Sequence, residues 1–267
     1  MPTFHEAITV EHTDSIVRWQ VTEDWAQGRT AFGGLVAAAA LQAMQPKIPQ
    51  ERQLRSMLVT FVAPVRVGEV EIDTQLLRSG RSLTHAEIRV SQGDTLCTIV
   101  LASFGAPHER ELAVTPPPIP EAKGPDDDLT EWPYIEGMMP AFTQHVAYRM
   151  VFEDALPYMG GSDPRFRGWV RFREQGQMGL AGLVGLLDTF APPVLLLADK
   201  PVPASSVTWQ INLFEDWPEE GFSYEDWWLY SSESKVSRHG YSDLEATMYS
   251  RDGRLFATAR QMVVDFA

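Results

Sequence analysis

Two apolar segments that contain several glycines and end at prolines limit what this chain can fold into. The first covers residues 28–44 and ends before Pro46, and the second covers residues 178–193 and ends at a proline pair. Proline stops a helix, so the second segment predicts about three helical turns over residues 179–190, a length too short to cross a membrane. Three glycines would each cost an exposed helix roughly 1 kcal/mol. Their presence indicates that a sheet or a ligand lies close to this helix backbone.

Strand-like runs follow both helices in the same order. They are residues 54–62, 69–77, 83–90 and 95–104 after the first helix, and residues 207–214, 227–234, 241–249 and 255–266 after the second. Shorter strands are predicted before each helix, as a pair around Asp14 within residues 8–21 and at residues 143–153 and 168–173. The Gly80–Gly93 spacing of 13 recurs as Gly240–Gly253.

This repeated order indicates an internal duplication. It predicts an α+β fold in which each half curls an antiparallel sheet round one apolar helix. We also expect the two sheets to pair edge to edge. Two unrelated α+β domains that share their turn spacings by chance are the alternative.

The stretch between the halves has a different composition. Residues 107–140 hold eight of the 19 prolines together with the acidic run Asp126-Asp127-Asp128. Such a composition is typical of a linker that is stiff in places. We therefore predict an N-terminal unit at residues 1–106, a linker at 107–140 and a C-terminal unit at 141–267.

Charge and composition argue against several classes of protein. A net charge of −14 disfavours a sequence-independent hold on nucleic acid, which needs clustered Lys and Arg. The single cysteine, Cys97, excludes an internal disulfide, and no segment resembles a signal peptide, so a cytoplasmic location is predicted. The sequence contains no run of about 18 apolar residues, so no membrane span is predicted. The six histidines lack ligand-like spacing and no nucleotide-binding motif occurs, so neither a metal nor a cofactor is expected.

The second half carries polar residues where the first is apolar. Alignment on the helices sets Asp188 against Ala40, and alignment on the turns sets Gln261 against Leu101. Asp188 is predicted in the last helical turn, where the helix dipole and burial both disfavour a carboxylate. Asp188, Gln261 and a hydroxyl from residues 205–208 can satisfy one another and hold a water that faces a base. A core network without chemistry is the alternative.

Short motifs in both halves carry a resemblance to a known family. They lie at residues 32–34, 61–64, 80–82 and 92–93 in the first half, and at residues 169–171, 228–234, 251–255 and 259–261 in the second. In this order they resemble the acyl-CoA thioesterase II family, whose fold is a double hotdog. The resemblance spans nearly the whole chain except the linker. It implies two tandem hotdog units and hydrolysis of a fatty or other acyl-CoA to free acid and CoA, without a metal.

The resemblance also implies catalytic residues. Asp188 and Gln261 match the family's acid and amide that position the attacking water. For the hydroxyl, Ser206 is the better match and Thr208 the fallback, because Ser206-Val-Thr-Trp-Gln210 lacks the family's Asp-His pair.

Substrate-binding groups are predicted in the first half. By analogy with the fold, the backbone N–H of Gly33 or Gly34 at the start of the first helix polarises the thioester carbonyl. Arg78 and Arg81 are candidates for holding the phosphates of CoA, and solvated turn charges are the alternative for both.

The sequence leaves two alternative functions open and predicts a homo-oligomer. A non-catalytic acyl-CoA-binding double hotdog would keep the polar trio for structure alone. A hotdog hydratase is disfavoured, because its short Asp and His motif does not occur here. The exposed edges and faces of such sheets favour a homodimer or larger homo-oligomer.

Overall fold

The structure is a computed structural model that describes residues 1–13, 16–108, 112, 114–151 and 156–266. Its largest element is a 13-stranded sheet in which every pairing is antiparallel. Four predicted features include residues outside the described ranges. These are the strand pair predicted around Asp14, at residues 14 and 15, the linker, at residues 109–111 and 113, the strand predicted at residues 143–153, at residues 152 and 153, and the C-terminal unit, at residues 152–155 and 267.

The first half follows the predicted order of elements. Its helices are α1 (Phe4–Ala7) and α2 (Gly33–Met44). Its strands are β1 (Val10–His12), β2 (Val17–Val21), β3 (Ala26–Gln27), β4 (Thr30–Ala31), β5 (Gln53–Phe61), β6 (Gly68–Ser79), β7 (Leu83–Gln92) and β8 (Thr95–Gly105). In β2, Val17, Trp19 and Val21 are buried and alternate with exposed residues, as expected of a strand with one face on the core.

The second half repeats this order around helix α3 (Leu180–Leu186). Its strands are β9 (Val146–Met150), β10 (Arg165–Phe172), β11 (Gln177–Met178), β12 (Ala204–Leu213), β13 (Phe222–Ser223), β14 (Trp228–Glu233), β15 (Ser237–Arg238), β16 (Tyr241–Ser250) and β17 (Leu255–Asp265). Single turns of 3-10 helix occur at Glu23–Trp25, Gln45–Lys47, Ala141–His145 and Pro193–Leu197.

The sheet topology confirms the predicted edge-to-edge pairing. The strands lie in the order β1-β2-β6-β7-β8-β5-β12-β17-β16-β14-β10-β9, and β15 pairs with β16. Read from either outer edge inward, each half has the same order, and the halves join where β5 pairs with β12. The joint includes the pairs Val59 with Trp209 and Met57 with Ile211, all four of which are buried.

The two helices pack directly against each other. A Cβ atom at Gly34 would lie only 2.7 Å from the carbonyl oxygen of Gly185, and one at Gly185 would collide with the ring of Phe4. The close approach predicted from the glycines is therefore real, but the expected neighbour, a sheet or a ligand, is wrong for Gly34 and Gly185. The neighbours are the other helix and the N-terminal segment.

Helix α3 is shorter than predicted. It ends at Leu186 rather than Phe190, so Asp188 lies beyond the helix and not in its last turn. The backbone tightens here, since the N–H of Asp188 donates to Gly185 O (3.2 Å) and the Thr189 hydroxyl donates to Leu186 O (2.8 Å). This turn, which the distant prolines do not reveal, directs the Asp188 side chain toward α2.

The linker forms a strap over the outer face of the second half. Leu129 is buried in a small apolar cluster with Trp169, Leu229 and Tyr249. The indole N–H of Trp169 donates to Lys123 O at 2.8 Å. The linker therefore covers apolar sheet surface as well as joining the halves. Among the described residues, no helix has the length and hydropathy needed to cross a bilayer.

Candidate active site

Three predicted polar residues form one hydrogen-bonded chain. The hydroxyl of Ser206 donates to Gln261 Oε1 at 3.1 Å, and Gln261 Nε2 donates to Asp188 Oδ1 at 2.7 Å. Gln261 is buried, whereas Asp188 and Ser206 keep part of their surface accessible. Each bond polarises the next, and the Ser206 hydroxyl fixes the Gln261 amide with its NH₂ toward the carboxylate.

A β-bulge explains why Ser206, and not Thr208, joins this chain. The pairing of β12 with β17 shifts between these two residues, where Val207 is inserted. Ser206 therefore lies opposite buried Val263 on the inner face of the sheet, and Thr208 lies opposite Met262 on the outer face. Strict alternation from Trp209 would have turned Ser206 outward.

We predict that Ser206→Ala lowers kcat about 10-fold, because the Gln261 amide loses the hydrogen bond that orients it. Thr208→Ala, on the same strand but the outer face, should keep the parent kcat. Steady-state hydrolysis of one acyl-CoA by both variants measures the difference. Equal losses in the two variants would contradict the assignment of Ser206.

The alignment that set Gln261 against Leu101 is wrong in register. Gln261 faces the core of the second half, but Leu101 is 43% exposed on the outer face of the first. The inward neighbours of Leu101 on β8 are Val100 and Ala102, which are buried. The register shift of the β7–β8 hairpin skips Cys97, which follows Gly93 by four residues, whereas that of the β16–β17 hairpin skips Phe256, which follows Gly253 by three. Equal glycine spacing therefore did not preserve the sheet face. The inner face of β8 is still apolar where Gln261 stands on β17.

The Asp188 carboxylate lies at the N-terminus of α2. A Cβ atom on Gly33 would stand 2.7 Å from Asp188 Oδ2, and the N–H of Gly34 interacts with the carboxylate. The N–H of Gly33 belongs to the first turn of α2, where N–H groups have no acceptor within the helix. The dipole of α2 therefore favours negative charge at this point, although the end of α3 disfavours it.

Burial has the larger effect on this carboxyl group. It raises the pKa of Asp188 from 3.8 to about 6, against the Gln261 hydrogen bond and the Gly34 N–H, which both lower it. Near neutral pH the group is ionised, yet it is a stronger base than a solvated aspartate. A group with this pKa is suited to accept a proton from water.

Aromatic residues that the sequence did not single out hold the turn after Asp188. The Tyr148 hydroxyl donates to Thr189 O at 3.0 Å, and the ring of Phe190 stacks on Tyr230 at 4.6 Å between centroids. Tyr148 and Tyr230 are buried. They fix the backbone on which Asp188 depends.

Arg78 and Arg81 are not near this chain of residues. They lie at the β6–β7 hairpin, whose loop carbonyls at Gly80 and Arg81 accept from Arg52, beside the start of β5. Asp188 lies near Phe61 at the other end of β5, and nine residues of strand span roughly 30 Å. This placement does not support a role for either arginine in holding CoA phosphates next to the carboxylate.

A separate polar groove lies on the outer face of the second half. It has a volume of about 510 Å³, and its lining includes Arg167, Gln210 and Arg260. Arg260 lies 3.6 Å from Glu245 within it. The groove does not border Asp188, because the sheet stands between them. Within the described parts of the chain, no group of three or more His, Cys, Asp or Glu residues is arranged to hold a metal ion.

Comparison with known proteins decides the family. The sequence model for the C-terminal domain of acyl-CoA thioesterases matches residues 116–264, and the model for their N-terminal domain matches residues 21–105. The chain belongs to the acyl-CoA thioesterase family. This thioesterase is 23% identical over 255 residues to acyl-CoA thioesterase 2 of Haemophilus influenzae, with 87% of this chain and 86% of the relative covered.

Solved structures agree with the fold of this thioesterase. A hot dog fold protein of unknown function from Alicyclobacillus acidocaldarius superposes with a TM-score of 0.89 at 26% identity, covering 99% of this chain and 98% of the other. An acyl-CoA thioesterase II from Mycobacterium marinum gives a TM-score of 0.78 at 19% identity, with 99% and 98% covered. The predicted double hotdog and the predicted family are both confirmed, and the chain is a thioester hydrolase. The individual catalytic roles stay predictions.

Proposed function

We propose that this thioesterase hydrolyses acyl-CoA by direct attack of a water that Asp188 activates. The water oxygen forms a bond to the thioester carbonyl carbon while one water proton passes to Asp188 Oδ2. The resulting tetrahedral anion then expels the CoA sulfur, which takes that proton from Asp188. The products are the free acid and CoA, and the carboxylate returns to its starting state.

The other residues act by orientation and charge. Gln261 occupies Oδ1, which leaves Oδ2 to face the water, and Ser206 fixes the Gln261 amide. The N–H of Gly33 is the donor that we assign to the developing oxyanion, since the N–H of Gly34 already interacts with the carboxylate. The observation that carries the proposal is this Ser206–Gln261–Asp188 chain ending against the first turn of α2.

Turnover with acyl-CoAs of graded chain length tests the proposal. The released CoA thiol is measured for straight chains from two to sixteen carbons. Hydrolysis of at least one member well above the uncatalysed rate supports the proposal. Tight binding of an acyl-CoA without release of thiol would contradict it and favour the alternative, a binding protein.

The proposal includes a cytoplasmic location and assembly into a homodimer or larger homo-oligomer. Apolar side chains on the outer face of the central strands support association, since Leu58 and Leu101 lie side by side across β5 and β8 and are each more than 40% exposed. We expect light scattering to give at least twice the chain mass of 29.9 kDa. A monomer at micromolar concentration would contradict this part.

A further inference from the structure

The reactive oxygen of Asp188 and the ring of Phe61 both approach Gly33 at the start of α2. The position that a Cβ atom of Gly33 would take is 2.7 Å from Asp188 Oδ2, which is a hydrogen-bond distance. The same position is 3.3 Å from Cζ and 3.6 Å from Cε1 of Phe61, which are van der Waals distances. Because both groups approach the same point beside the Gly33 Cα, the edge of the Phe61 ring lies no more than about 6 Å from Oδ2, close enough to border a water bonded to that oxygen.

Phe61 is held in place at the end of β5. Its backbone pairs with Thr98 on β8, and the next two N–H groups, of Val62 and Ala63, both donate to Cys97 O at 2.8 and 3.0 Å. The side chain is partly buried against the main core, so one part of the ring is supported and another stays accessible. The first half thus supplies a fixed wall to a site whose polar groups come from the second half.

The chemistry of the ring decides which part of the substrate it meets. A water poised for attack lies about 3–3.5 Å from the carbonyl carbon, so a ring that borders this water is within reach of the atoms attached to that carbon. The pantetheine arm of CoA carries amides, which lose hydrogen bonds against a ring edge, whereas acyl methylenes gain contacts there.

We infer that Phe61 is a specificity-determining residue that contacts the first carbons of the acyl group and selects against branching next to the thioester carbonyl. This inference rests on the proposed hydrolysis at Asp188. A straight chain presents hydrogens to the ring edge. A methyl group on the carbon next to the carbonyl would need the space that the ring occupies.

The test compares a straight acyl-CoA that the parent hydrolyses with its 2-methyl counterpart. For the parent, Phe61→Ala, Phe61→Leu and the control Leu58→Ala, kcat and KM are measured separately on both substrates. Leu58 is on the same strand but faces outward and is 47% exposed. The quantity compared is kcat/KM for the branched substrate divided by kcat/KM for the straight one. This ratio should rise about 10-fold or more in Phe61→Ala and less in Phe61→Leu. It should not change in Leu58→Ala.

Each outcome separates the inference from the proposed function. An unchanged ratio in both Phe61 variants that still hydrolyse the straight substrate overturns the inference and leaves the proposed function standing. If thermal unfolding shows that Phe61→Ala does not fold, Phe61→Leu decides alone, since it keeps most of the apolar volume. A parent that hydrolyses no acyl-CoA of any length overturns the proposed function and the inference together.

Discussion

Asp188→Asn should lower kcat for acyl-CoA hydrolysis by about 10²–10⁴-fold while the protein stays folded. Asparagine keeps the shape of the side chain and an oxygen that can accept from Gln261 Nε2, but it cannot take a proton from water. For the parent, kcat/KM should rise with pH through about 6, where Asp188 loses its proton, and the residual activity of the variant should lack this limb. Steady-state kinetics from pH 4.5 to 8 measure both effects.

Ionisation of Asp188 should raise activity but lower the stability of the folded protein. Its pKa is higher in the folded protein, about 6, than the ordinary 3.8, so the folded state binds the proton more tightly. The parent therefore loses on the order of 3 kcal/mol of its free energy of unfolding as the pH rises through this window. Above pH 6, Asp188→Asn should melt no lower than the parent. Below pH 4 the variant should have no such advantage.

Leu101→Ala is the control for Asp188→Asn. Because Leu101 is 43% exposed, its truncation should cost less than the roughly 2–5 kcal/mol expected of a fully buried leucine, and it should leave turnover intact. Parent-like hydrolysis by Asp188→Asn would show that the catalytic assignment is wrong.

Gly33→Ala should lower kcat/KM about 10²-fold with little effect on the fold. The added methyl group would stand 2.7 Å from Asp188 Oδ2, closer than a methyl carbon and a carboxylate oxygen can approach. The carboxylate must therefore move, and misplacement of a reacting group by about 1 Å costs a factor of this size. Gly33 does not have a positive φ, so alanine introduces no backbone strain and favours the helix.

Gly179→Ala is the matched control at the start of the other helix. Gly179 is the N-cap of α3, and a Cβ atom there would meet no heavy atom within 4 Å among the described residues. Kinetics and thermal melts of both variants separate an effect on the site from a general effect of alanine at a helix start. A Gly33→Ala protein with parent activity would show that the position of Oδ2 against Gly33 does not matter for the mechanism.

The parts of the fold that depend on local pattern could be predicted from the sequence. Strands β5 to β8, for example, lie within about two residues of their expected bounds, because alternation and glycine turns are local signals. The duplicated order of elements was enough to predict the join of the two sheets. Asp188, Gln261 and Ser206 could be selected because polar residues interrupt apolar patterns and match the motifs of a known family.

The features that the sequence did not reveal depend on tertiary geometry. The end of α3 is set by a tight turn and by Tyr148, not by the prolines that follow. The bulge at Val207 and the register shifts near the two hairpin turns decide which face a residue takes, and no residue type marks them. Phe61 gave no signal of its role, since a strand-end phenylalanine is ordinary. Its contact with Gly33 exists only after the sheet has folded round α2.

Covalent linkage of the two hotdog units has an energetic consequence. Two identical, separate hotdog units that paired in this way would carry the same residue at the Asp188 position of each unit. Each unit would then have to bury an ionisable carboxyl group. In the linked chain the residue aligned with Asp188 is Ala40, fully buried within α2. The protein therefore bears the desolvation of one carboxylate instead of two. The equivalent position in the first half stays apolar and avoids that cost.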